Sequence, residues 1–258
     1  MARRGDARGQ PAAARPLRGP RLRRRAPRQA PGSGIGGAAP EPPRVAPARG
    51  LFVTIEGLDF SGKSTLVRAL KDSLGGTNTY FTREPGGTPV AERIRDIVLD
   101  PGAEMEAWTE AYLYAAARAD HARAEILPRL ERGQDVVCER YLDSSLAYQG
   151  LGRGLGLDAV RGLNSYAVGA VMPDRTFYLR LGPGERERRA ATLGAPLDRI
   201  EAVGADFMRR VEEGFDELTN REPGRIEVLD ATRPPGELAG LVVERMRMLH
   251  YTRGGEAL

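Results

Sequence analysis

Gly57-Leu58-Asp59-Phe60-Ser61-Gly62-Lys63-Ser64-Thr65 combines two glycines, one lysine and three hydroxyls at the spacing of a phosphate-binding P-loop. Thirty-seven of the thirty-nine basic side chains are Arg, and Lys63 is one of only two Lys. A compact, rotatable ammonium reaches between β- and γ-phosphates, where a planar guanidinium fork fits poorly. Gly57 and Gly62 let the backbone turn its N–H groups toward phosphate oxygens. Ser64 is spaced to offer its hydroxyl to the Mg²⁺ that accompanies ATP. Residues 57 to 65 are therefore read as the ATP-binding segment.

Two further polar clusters follow short apolar runs. One is Arg83-Glu84-Pro85-Gly86-Gly87-Thr88; the other is Glu139-Arg140-Tyr141 leading to Asp143-Ser144-Ser145-Leu146-Ala147-Tyr148-Gln149-Gly150. Ligands of parallel α/β sheets bind at the carboxyl ends of strands. Arg83 and Arg140 would thus meet near the phosphate loop without belonging to it, which points to a second anionic group, the phosphate of an acceptor.

The elements that must position these residues are legible in the pattern. Leu51 to Ile55 is an apolar run rich in β-branched residues, and Leu66 to Leu74 reads as a helix. Strands are expected at Thr79 to Thr82, Asp135 to Cys138, Arg175 to Leu179 and Arg225 to Leu229. Helices are expected from Thr88, as N-cap, to Leu99, over Glu106 to about Glu131, and at about Gly204 to Asn220 and Gly236 to Leu249. Alternating strands and helices predict an α/β fold of three layers, a mostly parallel central sheet with helices on both faces. Cys138, the lone cysteine, falls in an apolar strand and reads as a small core residue.

Residues 1–49 carry twelve Arg against Asp6 and Glu41, a net +10; the whole chain carries +4, which leaves −6 for residues 50–258. The basic pI belongs to that segment, so the remainder offers no electrostatic case for nucleic-acid binding. Arg, Pro, Ala and Gly without large apolar residues make residues 1–49 an expected disordered tail, and the one part that could act as a nucleic-acid-binding arm. No apolar run approaches membrane-spanning length, so a cytoplasmic protein is expected. The expected organisation is this tail, a domain over 50–250, and a C-terminal tail over 251–258.

From about Leu51 to Leu249 the chain resembles the bacterial branch of the thymidylate kinases, P-loop nucleoside monophosphate kinases that move the γ-phosphoryl of ATP onto dTMP. The resemblance is carried by Thr82-Arg83-Glu84-Pro85-Gly86-Gly87-Thr88, by Asp143 to Gly150, by Pro173-Asp174 and by Leu197-Asp198-Arg199-Ile200-Glu201. It implies that Asp59 approaches the acceptor sugar and that Arg83 and Arg140 hold the dTMP phosphate. Tyr114 would stack on thymine and Arg118 hydrogen-bond it, and their i, i+4 spacing puts both on one helix face. Ser145, Tyr148 and Gln149 would read base and deoxyribose, and Ser64 with Glu139 would hold Mg²⁺. The resemblance also implies a homodimer.

Three positions depart from the family pattern. Glu139 stands where Asp is usual, which would displace its metal or water contact by one methylene. Phe60 stands where some members have Arg and many bacterial ones Gly, so the loop supplies no catalytic Arg. The lid, about 183–199, offers Arg186, Arg188 and Arg189 for that task, several residues earlier than expected, and Arg153 is a rival donor. A deoxynucleoside kinase and a nucleotide-binding P-loop protein with weak turnover remain alternatives. A GTPase switch is disfavoured because no Asn-Lys-x-Asp segment exists.

Overall fold

The computed structural model describes residues 49–182, 184–193 and 198–254. The expected N-terminal tail, apart from Arg49, lies outside the described residues, as do part of the lid and the end of the expected C-terminal tail. Five strands, β1 (Phe52–Gly57), β2 (Thr79–Arg83), β3 (Asp135–Glu139), β4 (Arg175–Arg180) and β5 (Ile226–Asp230), form a sheet in the order β2-β3-β1-β4-β5. Every neighbouring pair is parallel. Every residue of β1 is buried, which is why the central strand reads as a continuous apolar run and not as an alternation.

Two cores line the two faces. On one, Val53, Ile55, Phe177 and Leu179 pack against Leu66 and Leu70 of α1 (Lys63–Ser73) and against Leu238 and Val242 of α9 (Pro235–Gly254). On the other, Phe52, Val136 and Tyr178 meet Ile126, Leu146, Phe207 and Phe215. The period of two sends Thr54 and Glu56 of β1 to this second face, where both are fully buried. Thr54 shares a 2.7 Å hydrogen bond with Thr176, and Arg225 and Thr176 both donate to Asp143. Cys138 sits here too, a buried free thiol pushed well up by burial, as expected of a core cysteine.

α2 (Pro89–Leu99) starts where its sequence says, with the Thr88 hydroxyl accepting from Ala91 N at 3.0 Å. The long helix expected over Glu106 to Glu131 is broken into α3 (Ala107–His121), a π turn at Ala122–Ile126 and α4 (Leu127–Glu131). Pro128 has no N–H to give the preceding turn, and a wider turn just before it absorbs the loss. α5 (Leu142–Ser145), a second π turn (Leu146–Gly152), α6 (Leu157–Val168) and α7 (Glu185–Leu193) were not read from the pattern. α8 spans Ala205–Arg221. α9 continues to Gly254, past the expected end at Leu249, because His250 pairs with Asp135 at 2.7 Å and Arg253 with Asp174, carboxylates at the start of β3 and just before β4. Among the described residues no helix is long and apolar enough to cross a membrane.

Candidate active site

β1 runs into the loop 58–62, which turns the chain into the N-terminus of α1. Gly57 has φ 147°, and a Cβ there would meet Leu179 O at 2.8 Å and Ser61 Oγ at 2.7 Å, so no larger residue fits. Gly62 is left-handed at φ 92°. Phe60 is left-handed as well, at φ 68°, a backbone state that glycine adopts without steric cost. The loop curls around Lys63, whose Nζ donates to Leu58 O at 2.7 Å. Burial, and then the Arg140 charge, lower the Lys63 ammonium to about 8. Leu58 itself is core, and Gly57 lies behind the loop; neither lines the cleft in front of it.

That cleft has a volume of about 790 Å³ and is bounded by the loop, the ends of β2 and β3, α3, the π turn after α5, and α7. Among the described residues seven cationic side chains and six carboxylates line it. Ser64 Oγ donates to Glu139 Oε1 at 2.8 Å. The longer Glu139 side chain therefore brings its carboxylate to the Ser64 hydroxyl. Two adjacent hard oxygens beside a phosphate loop fit a magnesium ion, which takes one or two protein ligands and fills its shell with phosphates and water.

Arg140 adopts a left-handed backbone at φ 65° and sends its guanidinium back over the loop. It donates to Gly57 O at 2.9 Å and to Ser144 Oγ at 3.2 Å, and it pairs with Asp59. Tyr148 donates to the other Asp59 oxygen at 3.0 Å. Burial works to raise the Asp59 carboxyl, but the Arg140 and Lys63 charges outweigh it and hold it below its ordinary value. Arg83, at the end of β2, is bound in both arms by Glu92 at 2.8 and 2.9 Å, and Glu92 also accepts from Gly87 N.

Tyr114 and Arg118 line the cleft from one face of α3. Arg118 is only 2% exposed, and it donates to Glu84 at 2.8 Å, to Asn164 at 2.5 Å and to Tyr141 O at 2.9 Å. His121 braces the same Glu84 at 3.0 Å from the far side. Ser145 and Gln149 also reach the cleft, and Gln149 donates to Glu110 at 2.9 Å.

The lid arginines separate. Arg189 donates to Glu185 at 2.8 Å and reaches the carbonyls of Phe60 and Ser61 at 3.4 Å and that of Ala231 at 2.9 Å, roofing the loop. Arg188 pairs with Glu185 and is largely exposed at the cleft rim. Arg186 is not among the lining residues; it pairs with Glu187. Arg153 is likewise no donor from this position, since it pairs with Glu110 at 2.8 Å and lies 4.7 Å over the Phe207 ring, outside the cleft lining. Behind Arg189 a second cleft of about 310 Å³ runs from Gly62 and Thr65 to Ala231, Thr232 and Leu238.

Some site residues escaped the sequence. Arg95 lines the cleft and donates to Pro85 O at 3.0 Å; it lies four residues after the buried Ala91, so helical periodicity could have found it. Glu110, fully buried, gathers Gln149, Arg153 and Arg199, and nothing in the order of residues announces that meeting.

The family model described as thymidylate kinase matches residues 55–240. A thymidylate kinase of Deinococcus radiodurans is 47% identical over 193 residues, covering 74% of this chain and 93% of the relative. One of Bacillus licheniformis is 43% identical over 188 residues, covering 71% and 89%. Among solved structures the thymidylate kinase of Ehrlichia chaffeensis superposes with a TM-score of 0.60 at 28% identity, covering 78% of this chain and 99% of its own.

Proposed function

The chain belongs to the thymidylate kinase family and phosphorylates dTMP to dTDP with ATP as donor, and from that premise we propose how the cleft divides the work. The observation that carries the reading is the meeting of two cationic groups on one loop: Lys63 from the P-loop, and Arg140 from the end of β3, bonded to Gly57 O at 2.9 Å. One serves the donor phosphates and the other the acceptor phosphate.

The dTMP phosphate oxygen attacks the γ-phosphorus as its bond to the β,γ-bridging oxygen breaks and ADP leaves, and no nucleophilic side chain is required, because phosphoryl transfer is mostly positioning and charge stabilisation. Lys63 and the roofing Arg189 face the transferring group, with Arg188 at the rim. Arg140, Arg83 and Arg95 hold the acceptor phosphate, Arg83 after exchanging Glu92 for substrate. Asp59 and Tyr148 take the deoxyribose. Ser64 and Glu139 would hold Mg²⁺, which when bound would offset charge on the donor phosphates. The 310 Å³ cleft behind Arg189 takes the base of ATP.

Tyr114 stacks on thymine while Arg118 reads its edge, with Ser145 and Gln149 completing the wall. Arg118 has five N–H donors and spends three on Glu84, Asn164 and Tyr141, leaving two for a keto oxygen. A cytosine would turn an amino donor toward them. Coupled measurement of ADP release should therefore give turnover with dTMP and dUMP, about 10²-fold or more lower kcat/KM with dCMP, and none with thymidine or without acceptor. Turnover with thymidine would favour a deoxynucleoside kinase; none with any acceptor would leave a nucleotide-binding protein.

The packed helices α2, α3 and α6 together expose Ile97, Trp108, Tyr112 and Tyr166, and this supports a homodimer through that side. A cytoplasmic location suits a consumer of ATP and a nucleoside monophosphate.

A further inference from the structure

Glu56 is the last buried carboxylate before the P-loop, fully enclosed and absent from the lining of either cleft. A side chain that never meets substrate would be expected to be apolar at this point of a central strand, and a charge here needs partners. It has them on one element. Glu56 Oε1 accepts from Tyr141 N at 2.7 Å and from Ser144 N at 3.2 Å, and Oε2 accepts from the Ser144 hydroxyl at 2.6 Å. Ser144 Oγ, having donated its proton to Glu56, accepts from Arg140 NH1 at 3.2 Å. Arg140 is one of two described non-glycine residues with positive φ, a backbone state that persists only where surrounding bonds over-determine it. The bonds that do so are Arg140 N to Ile55 O at 3.0 Å on one side and the Glu56 contacts with Tyr141 and Ser144 on the other.

We infer that Glu56 is a positioning residue for the acceptor-phosphate clamp, acting through Ser144 to set the direction of the Arg140 guanidinium. The inference rests on the reading of Arg140 as that clamp. The carboxylate fixes the turn 140–144 by its two backbone bonds and orients the hydroxyl proton of Ser144 away from Arg140, so that a lone pair faces the guanidinium. An amide at residue 56 keeps the shape and one acceptor but presents N–H₂ where Oε2 stood. The Ser144 hydroxyl then loses its acceptor, and its lone pair is contested between the amide and Arg140.

The test compares Glu56→Gln, Ser144→Ala, the double variant and Arg140→Gln by steady-state kinetics with each substrate varied, alongside thermal transitions. Glu56→Gln should raise the KM for dTMP about tenfold with the KM for ATP within about twofold. Ser144→Ala should move the same constant, and the double variant should be no worse than the larger single, because both changes break one relay. If Glu56→Gln does not fold, Ser144→Ala carries the comparison. A rise in the KM for ATP in step with that for dTMP would make Glu56 a scaffold of the neighbouring P-loop and overturn the inference, as would multiplicative effects in the double variant. If Arg140→Gln raises the KM for dTMP while the Glu56 and Ser144 variants do not, the relay alone is wrong; if Arg140→Gln changes nothing, the clamp reading is wrong first.

Discussion

A single side chain here acts according to how much water it has lost. Lys63 and Arg140 both donate to carbonyls at the start of the P-loop, yet burial lowers the Lys63 ammonium to about 8 while burial of the Arg140 guanidinium is outweighed by Asp59, which holds it well above its ordinary range. Glu56 is the sharpest instance: burial, then the Asp143 charge, raises its carboxyl to about 7. A folded value above the unfolded one means that the protonated acid favours the fold. That contribution is complete below about pH 4.5 and is lost as the pH rises through about 7. Urea unfolding of the wild type and of Glu56→Gln across this window should show the wild type losing about 3 kcal/mol relative to the variant. A difference flat with pH would mean that Glu56 is ionised throughout. The P-loop spacing singles out Lys63 and Ser64 and the end of a strand singles out Arg140, whereas Tyr114 and Arg118 are marked only by the family resemblance, Tyr114 by itself reading as a core residue. Glu56 and Glu110 were not legible in the sequence, since the meaning of a buried carboxylate lies in partners brought from 39 or more residues away.

Elements were read best where one physical signal dominated. The five strands announce themselves by β-branched runs, and the Thr88 cap fixes the start of α2. The segment 142–152 was seen only as a polar cluster, because a four-residue helix continued by a π turn carries no 3.6 repeat. The lid was expected to carry its arginines in an early turn, and α7 places one of them, Arg189, over the loop from its second turn. Arg189→Ala should lower kcat by about 10²- to 10³-fold in single-turnover measurements with dTMP affinity nearly unchanged, while Arg186→Ala stays near wild type. A raised KM for ATP with kcat preserved would make Arg189 a grip on the donor and not a stabiliser of the transfer.

At the scale of the molecule, the aromatic side chains of α3 and α6 fall outside both cores. The Trp108 and Tyr112 rings lie tilted at 44° with centroids 6.3 Å apart, and Tyr166 is 81% exposed under the Arg123 guanidinium. Replacing Trp108 and Tyr112 together by Glu should convert a dimer to a monomer in sedimentation velocity, and a wild type that sediments as a monomer at micromolar concentration would remove the proposal. The cleft has a different kind of consequence. Its seven cations are nearly matched by six carboxylates, and Arg83 at its edge is already paired with Glu92. A dTMP dianion arriving from solvent therefore meets little net field until it is close enough to trade places with an internal carboxylate. Capture should run at the unsteered rate of about 10⁵ to 10⁶ M⁻¹s⁻¹ and change less than about threefold between low and physiological salt in stopped-flow measurements. Glu92→Gln, which leaves Arg83 uncompensated, should make that association both faster and visibly sensitive to salt.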